Sequence, residues 1–327
     1  MAEKETTLAL QLTRPSQTTP PTLTLITLPI PTPKEGQVLV RIHASAIQPS
    51  DILNTQGAFP YTTFPRVPGR DFAGTIFSSP SDPSLINQEI YGTSGNTLSF
   101  TSDGAHAEYI LVPSTAVASK PTNLSFAQAA TIGVPFTTAA LAVKKGEVKS
   151  GERVLVLGAN GAVGSAAVQI AGAKGAKVLK GVRGPKGDVD TGADPELSAL
   201  KEPVDVVIDT VGQPSLTAAA ARKLGRAGRL VFIAAPRSGE TVLGIEMVDF
   251  YRLEKRVEGI NTLLYGIESF AEELRSMSGL FEEGKLVVGE GWTEVPLKEG
   301  VDAYNRAGKK GGIDKFISTE DRPNIIK

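Results

Sequence analysis

The chain has 327 residues, which corresponds to about two domains at ~150 residues each. Its 34 Lys+Arg against 35 Asp+Glu give a formal net charge of -1, so no charge surplus points to nucleic acid or an anionic membrane as a partner. Because the chain has no cysteine, disulfides, thiolate nucleophiles and cysteine-built zinc sites are excluded, and any histidine chemistry must use His43 or His106.

The chain carries no recognisable targeting or membrane segment. Residues 1–5 are polar and lack the apolar core of a signal peptide. No stretch reaches the ~18 apolar residues of a membrane span. We therefore expect a cytoplasmic protein.

The first ~120 residues are typical of short strands joined by irregular loops, because helical periodicity is weak there. The clearest predicted strands are 22–28, 38–44 and 109–112. Ser125 is a candidate N-cap for a helix that starts at Phe126. Pro135 is expected to interrupt that helix, with a second helix over 137–143.

After Gly151 the pattern changes to apolar runs that alternate with helical segments. The expected strands are 154–157, 176–179, 204–208, 230–234 and 257–260. Continuous β-branched runs separated by helices indicate buried parallel strands in a doubly wound sheet. Residues 267–281 show helical spacing of apolar side chains, and Lys315–Ser318 predicts a last short strand.

The strongest motif is a glycine-rich turn that follows the strand 154–157. Its candidate binding residues are Gly158, Asn160, Gly161, Ala162, Val163 and Gly164. A strand that enters such a turn and then a helix lets backbone N–H groups approach a pyrophosphate. The spacing G-x-x-G-x-x-G predicts dinucleotide binding in this context, and the alternative is a tight turn that only packs helix on sheet.

The end of the next strand indicates which dinucleotide is bound. NAD sites usually place an acidic residue there for the ribose hydroxyl, yet residues 177–186 contain none. Four residues, Arg183, Gly184, Pro185 and Lys186, form a cationic turn that favours the 2′-phosphate of NADPH. The alternative is a solvated basic loop.

The segment after Arg183 is short, since Val204 follows after only about twenty residues where a full βαβ unit needs roughly 30. We expect the helix after the second strand to be largely lost and the third strand to be degenerate. Because that strand lies at the sheet edge, the fold survives its loss, but the cofactor is held more weakly.

Six motifs in order resemble the zinc-free, quinone-oxidoreductase-like branch of the medium-chain dehydrogenase/reductase superfamily. They are Ala46–Asp51, Pro65–Gly74, Gly104–Tyr109, Asp209–Gly212, Gly228–Val231 and Gly312–Phe316. The resemblance implies a GroES-like β-rich substrate domain over 1–118 and 267–327. It implies an inserted Rossmann NADPH-binding domain over 119–266, whose second βα unit is the shortened one.

The resemblance also implies a set of site residues. Positions around the ribose and nicotinamide are Thr137, Val211, Gly212, Ala234, Ala235 and Asn261. The substrate and nicotinamide side is expected to include Gln48, Ser50 and Asp51, with Gln48 where the family usually has Asn. No metal is expected, because the zinc ligands of related enzymes are replaced by residues of 45–50 and by Arg70 and Asp71.

Two tyrosines common in this branch are replaced by Leu53 and Phe59, which leaves Tyr61 as the local candidate proton donor. The alternative for Tyr61 is a packing aromatic. The expected activity is metal-free, NADPH-dependent reduction of an enone, an enoyl group or a quinone. Two alternatives stay open: a tailoring or carrier-dependent enoyl reductase of specialised metabolism, and a nucleotide-binding protein with decayed activity. The expected partner is a small molecule, not nucleic acid or membrane, and the family is often dimeric.

Overall fold

The computed structural model describes residues 6–309 and 315–319. The strands, in chain order, are β1 (Thr6–Thr13), β2 (Thr22–Pro29), β3 (Gln37–Ala46), β4 (Phe72–Ser78), β5 (Glu89–Gly92), β6 (Tyr109–Pro113), β7 (Ala118–Ser119), β8 (Arg153–Leu157), β9 (Lys177–Val182), β10 (Val189–Asp190), β11 (Val204–Asp209), β12 (Leu224–Phe232), β13 (Arg256–Gly259), β14 (Trp292–Pro296) and β15 (Lys315–Thr319). The α-helices are α1 (Pro49–Thr55), α2 (Phe126–Ala129), α3 (Gly133–Lys145), α4 (Ala162–Ala173), α5 (Pro214–Arg222), α6 (Met247–Leu253), α7 (Ile267–Glu282) and α8 (Gly300–Ala307).

The chain divides into two compact units. The first contains the described residues of Met1–Val134, Leu263–Glu283 and Val288–Lys327. The second contains Pro135–Thr262 and Gly284–Val287. The second unit is therefore inserted into the sequence of the first.

The first unit is rich in β-structure, as expected. Its larger sheet has the order β14-β15-β3-β4-β5-β7, with β6 also paired to β3, and β1 pairs with β2 in a separate ribbon. Alternate side chains of β3 are buried with Phe72 and Ile110 in one apolar core. Tyr91 anchors α7 to this unit, because its hydroxyl donates to the carbonyl of Leu274 at 2.8 Å.

The second unit contains a six-stranded parallel sheet of order β10-β9-β8-β11-β12-β13. The order is that of a dinucleotide-binding doubly wound sheet, so the predicted architecture is confirmed. The central strands β8 and β11 are almost fully buried, which explains their continuous apolar runs.

The shortened βα unit lies between β9 and β10. Residues 183–188 connect the two strands without a helix, and β10 has only two residues. Leu197 and Leu200 follow in an irregular segment and are buried with Val189 against Leu155 and Val207. The helix that normally follows the second strand is absent, as predicted. Two leucines from a loop cover this part of the sheet instead.

Three local features differ from the sequence expectations. Strand β1 was not predicted, although its residues Leu8, Leu10 and Leu12 alternate. Pro135 does not interrupt a helix but lies in the first turn of α3, where a missing N–H costs little. The motif residues 312–314 lie outside the described residues. Within the described ranges, no helix is long and apolar enough to cross a membrane.

Candidate active site

The glycine turn connects β8 to α4 in the second unit. The amide N–H of Gly158 donates to the carbonyl of Gly181 in β9, and Gly161 is the N-cap of the twelve-residue α4. No side chain in the described part of the chain caps this helix. A Cβ on Gly164 would lie 2.1 Å from the carbonyl oxygen of Gly158, so only glycine allows the helix to start this close to the turn. An open helix N-terminus over a side-chain-free turn fits a dinucleotide pyrophosphate.

The second part of the site follows β11. The carboxylate of Asp209 accepts the backbone N–H groups of Val211 and Gly212 at 2.8 and 3.0 Å and the hydroxyl of Thr217. Gly212 has a φ of +68°, and a Cβ there would lie 2.1 Å from the carbonyl oxygen of Ala234. The Val211–Gly212 and Ala234–Ala235 segments are therefore in contact.

The same region contacts the glycine turn. A Cβ on Gly158 would meet the Thr210 hydroxyl at 2.5 Å and a methyl of Val211 at 3.0 Å. The Thr210 hydroxyl in turn donates to the carbonyl of Leu157 at 2.8 Å. The carboxyl ends of β8 and β11 thus bring together residues that are about 50 positions apart in the chain, at the edge of the sheet where parallel sheets bind their ligands.

The cationic turn lies after β9, and the side chains of Arg183 and Lys186 are exposed. Among the described residues neither side chain makes an ion pair or a hydrogen bond. Residues 177–186 lack a carboxylate, but the fold brings Asp190 back beside this turn. Its Oδ1 accepts the N–H groups of Gly184, Gly192 and Ala193, and these bonds lower the pKa of the carboxyl group.

The remaining cofactor candidates, Thr137 and Asn261, are placed differently. Thr137 lies in α3 and is buried, whereas Asn261 is exposed and follows β13 at the carboxyl edge of the sheet. The sequence did not single out Asp190, because its role depends on a loop that turns back on itself.

Gln48, Asp51 and Asp71 form a buried polar cluster in the first unit. The Gln48 amide Nε2 donates to Asp71 Oδ2 at 2.8 Å, and the Gln48 backbone N–H donates to Asp51 Oδ2 at 2.8 Å. Asp71 also accepts the Thr93 hydroxyl and the Val134 backbone N–H. The side-chain amide nitrogen of Gln48 is therefore already hydrogen-bonded to Asp71.

Burial perturbs both carboxyl groups of this cluster. It raises the pKa of Asp51 from 3.8 to about 7, although the nearby Arg70 cation opposes the rise. The pKa of Asp71 is raised from 3.8 to about 6 by burial, against the hydrogen bonds from Thr93 and Val134. Asp51 Oδ1 is buried without a hydrogen-bond partner among the described residues. Strongly perturbed carboxyl groups are common at functional sites.

Tyr61 lies in an aromatic group with Phe59 and Phe100, at ring-centroid distances of 5.9 and 5.1 Å. It is 40% exposed, and its hydroxyl has no hydrogen-bond partner among the described residues. Burial raises the pKa of Tyr61 to about 12, and the positive charge of Arg70 opposes that rise. The tyrosine thus packs on one side against Phe59 and Phe100, and its hydroxyl is not used by another described residue.

Arg70 is a residue that the sequence interpretation named only as a replacement for a zinc ligand. It is 4% exposed. Its Nε donates to the Ser94 hydroxyl, and its Nη1 donates to the Ser50 hydroxyl at 2.8 Å. The guanidinium lies 5.3 Å from the centroid of the Phe100 ring. These partners are 20 to 30 residues away in the chain, so no local pattern could reveal them.

The residues at the zinc positions of related enzymes do not fit a zinc ion. Arg70 is a cation that would repel the metal, and both Asp71 oxygens already accept hydrogen bonds. Within the described ranges, no three His, Cys, Asp or Glu side chains are grouped so that they could hold a metal.

The two histidines are in structural positions of the first unit. His43 Nε2 lies 3.1 Å from the Thr75 hydroxyl and its ring stacks on Phe126 at 4.4 Å. His106 is fully buried, and its Nδ1 lies 2.9 Å from the Tyr304 hydroxyl. Burial lowers the pKa of each to about 4, so both are neutral at pH 7.

Comparison with known proteins gives matches over both units. Residues 34–122 match the alcohol dehydrogenase GroES-like domain, and residues 185–312 match the zinc-binding dehydrogenase family. A zinc-type alcohol dehydrogenase-like protein of Schizosaccharomyces pombe is 48% identical over 264 residues, which are 80% of this chain and 81% of that protein. The quinone oxidoreductase of Rattus norvegicus is 28% identical over 310 residues, 86% of this chain and 89% of that one.

Two further relatives extend the comparison. The 2-methylene-furan-3-one reductase of Solanum lycopersicum is 35% identical over 201 residues, 56% of this chain and 52% of that protein. A solved zinc-binding dehydrogenase structure from Sinorhizobium meliloti, bound to NADP, has a TM-score of 0.78 at 22% identity and covers 96% of this chain and 99% of that one. From these matches and the fold, the chain belongs to the medium-chain dehydrogenase/reductase superfamily of oxidoreductases.

Proposed function

We propose that this protein is a zinc-independent, NADPH-dependent reductase of an activated C=C bond or a quinone. The observation that carries the proposal is the side-chain-free contact between Gly164 and Gly158 beneath an uncapped helix, which leaves room for a pyrophosphate. Relatives named quinone oxidoreductase and 2-methylene-furan-3-one reductase support the reaction class.

The second unit would hold the cofactor, and the first would hold the substrate. The glycine turn would bind the pyrophosphate, and Val211, Gly212, Ala234 and Ala235 would line the ribose and nicotinamide side. Arg183 and Lys186 would bind the 2′-phosphate, because two exposed cations that pair with no described residue suit a dianion. Asp190 Oδ1 accepts hydrogen bonds from three backbone N–H groups. This supports a role for Asp190 in shaping the turn and not in binding a ribose hydroxyl.

NADPH, when bound, supplies a hydride from its reduced nicotinamide ring. The hydride would form a C–H bond at the electron-poor β-carbon of the substrate, and the π electrons would move to the carbonyl oxygen. A proton from Tyr61 or water would then complete the saturated product. Burial raises the pKa of Tyr61 to about 12, which is still below the ~15.7 of bulk water, so either group can supply this proton.

The cofactor assignment is tested by titrating NADPH and NADH into the wild type and into R183A/K186A. Losing two charge-assisted contacts should weaken NADPH binding by about 10- to 100-fold and leave NADH binding nearly unchanged. The control, K174A/K177A, removes the same charge near the amino end of β9 and should not alter either affinity. Tighter binding of NADH than of NADPH by the wild type would contradict the assignment.

The reaction is tested by following NADPH oxidation with a panel of enones and quinones. Turnover of a free enone or quinone supports the proposal. Turnover only with carrier-bound enoyl substrates would indicate a tailoring enoyl reductase. NADPH binding without any turnover would indicate a nucleotide-binding protein that has lost its activity.

A further inference from the structure

The first unit contains a buried positive charge, the guanidinium of Arg70, which is only 4% exposed. Burying a cation costs several kcal/mol unless a carboxylate or several hydrogen bonds compensate it. Arg70 makes no ion pair with any carboxylate among residues 6–309 and 315–319. Its protein partners are two neutral hydroxyl groups, those of Ser50 and Ser94.

The guanidinium has donors that the protein does not use. Nη2 donates to no protein atom among the described residues. Three side-chain atoms of the described residues are fully buried and have no hydrogen-bond partner: Asp51 Oδ1, His106 Nε2 and Arg153 Nε. Nη2 of Arg70 is not among them, so it is not fully buried. The small exposed fraction of Arg70 therefore includes Nη2, and an acceptor atom of a ligand can reach this donor.

An exposed aromatic ring lies near Arg70. The fully buried Phe100 ring lies against the guanidinium, and the Tyr61 ring, which is 40% exposed and lies 5.1 Å from that of Phe100, can contact a flat, conjugated ligand. The carboxyl groups on which the Arg70 charge acts are those of Asp51 and Asp71. Both are fully buried and have raised pKa values. Neither carboxyl group forms an ion pair or a hydrogen bond with the guanidinium among the described residues, so Nη2 stays available to an oxygen of the ligand.

We propose that Arg70 binds the carbonyl oxygen of the acceptor and stabilises the negative charge that develops on it. This inference rests on the proposed function and assigns to an arginine the electrophilic role that a metal ion plays in zinc-dependent dehydrogenases. It specifies the substrate class as a planar conjugated carbonyl compound, such as an aryl or cyclic enone or a quinone.

For an enone the step balances as follows. The hydride from NADPH forms the new C–H bond at the β-carbon, and the C=C π pair moves so that the C=O bond becomes an enolate C–O⁻. The N–H groups of Arg70 donate to this oxygen and keep their protons. A proton from water then forms the α-C–H bond, which restores the carbonyl and leaves NADP⁺ as the oxidised product.

The first test compares R70M with R66M. Both variants lose one arginine from the same segment, but the Arg66 side chain bonds to Asp103, at 2.8 Å, and to Thr63. R70M should lose about 10²- to 10³-fold in kcat/KM for enones, as for removal of an oxyanion donor. R66M should stay within about threefold of wild type in kcat/KM, since Arg66 shares none of the hydrogen-bond partners of Arg70. R70K, which keeps the charge, should recover part of the loss.

A second readout does not depend on turnover. A phenolate such as that of 4-nitrophenol mimics an enolate and absorbs visible light, so the pH at which bound nitrophenol ionises can be measured in the presence of NADP⁺. A nearby cation should lower that pKa by about 1 to 3 units in the wild type. R70M should return it to the solution value, and R66M should not change it.

S94A is the variant to use if R70M fails to fold, since it removes only the hydroxyl that orients Nε. It should reduce kcat/KM by about tenfold and weaken the nitrophenolate shift. Wild-type kcat/KM in folded R70M, or an unshifted nitrophenol pKa in the wild type, would overturn the role of Arg70. A wild type that turns over no acceptor but shows the Arg70-dependent shift would contradict the proposed function and still support this inference.

Discussion

Replacing Asp51 with asparagine should stabilise the protein by an amount that grows with pH. Asp51 is fully buried, and burial raises its pKa from 3.8 to about 7. The folded state holds this proton more tightly than the unfolded chain does. The protonated Asp51 therefore makes its full contribution to stability below pH 3.8. That contribution is lost as pH rises through about 7.

The magnitude follows from the shift of the pKa. At 1.36 kcal/mol per pKa unit, the raised pKa of Asp51 lowers the free energy of unfolding by about 4 kcal/mol at pH 8 and by about 1 kcal/mol at pH 4.5, relative to a side chain that does not ionise. Asparagine has no ionised form and can keep the acceptor for the Gln48 backbone N–H. D51N should therefore exceed the wild type in free energy of unfolding by these amounts.

The assay is urea unfolding at a series of pH values between 4.5 and 8.5, followed by circular dichroism. The control is D302N, because Asp302 is an exposed residue of α8 and its replacement should give a small, nearly constant difference. A D51N difference that does not change with pH, or a wild type more stable than D51N at pH 8, would refute the reasoning. Asp71 and Tyr304 remain in both proteins but are affected by the charge of Asp51, so the difference measures Asp51 together with the changes it causes in these two neighbours.

Two further predictions concern the second unit. G164A should destabilise the protein by about 1–3 kcal/mol and abolish NADPH binding, because its Cβ would meet the Gly158 carbonyl oxygen. G172A, in the same helix with open space around it, should stabilise the protein by about 0.5–1 kcal/mol in the same unfolding assay, and equal effects would contradict the contact. Since the shortened β10 gives the adenosine side little support, NADPH should bind with a micromolar or weaker dissociation constant, and submicromolar binding in a fluorescence titration would contradict this expectation.

Local signals made part of the fold and site predictable. The parallel strands of the second unit are continuous apolar runs, and the glycine turn is a short, ordered motif, so both can be read from neighbouring residues. The loss of a helix between β9 and β10 could be predicted from the small number of residues between Arg183 and Val204. These features depend on residues within about 30 positions of one another.

Features that depend on distant contacts could not be predicted in the same way. The partners of Arg70 come from α1 and from the segment after β5, and nothing near Arg70 in the chain indicates that it is buried. Asp190 looks like an ordinary loop acid until its three backbone donors are seen. Strand β1 lay beside a proline- and threonine-rich segment, whose composition obscured the alternation of its leucines.

The two-residue β10 also affects how this sheet can associate with other chains. A long, flat edge strand exposes unpaired N–H and C=O groups and invites strand addition, and very short edge strands are one way in which proteins avoid it. At the opposite edge, β13 has four residues, all exposed. The loss of the βα unit therefore protects one edge of the sheet from unwanted pairing and leaves β13 as the edge at which another strand could be added.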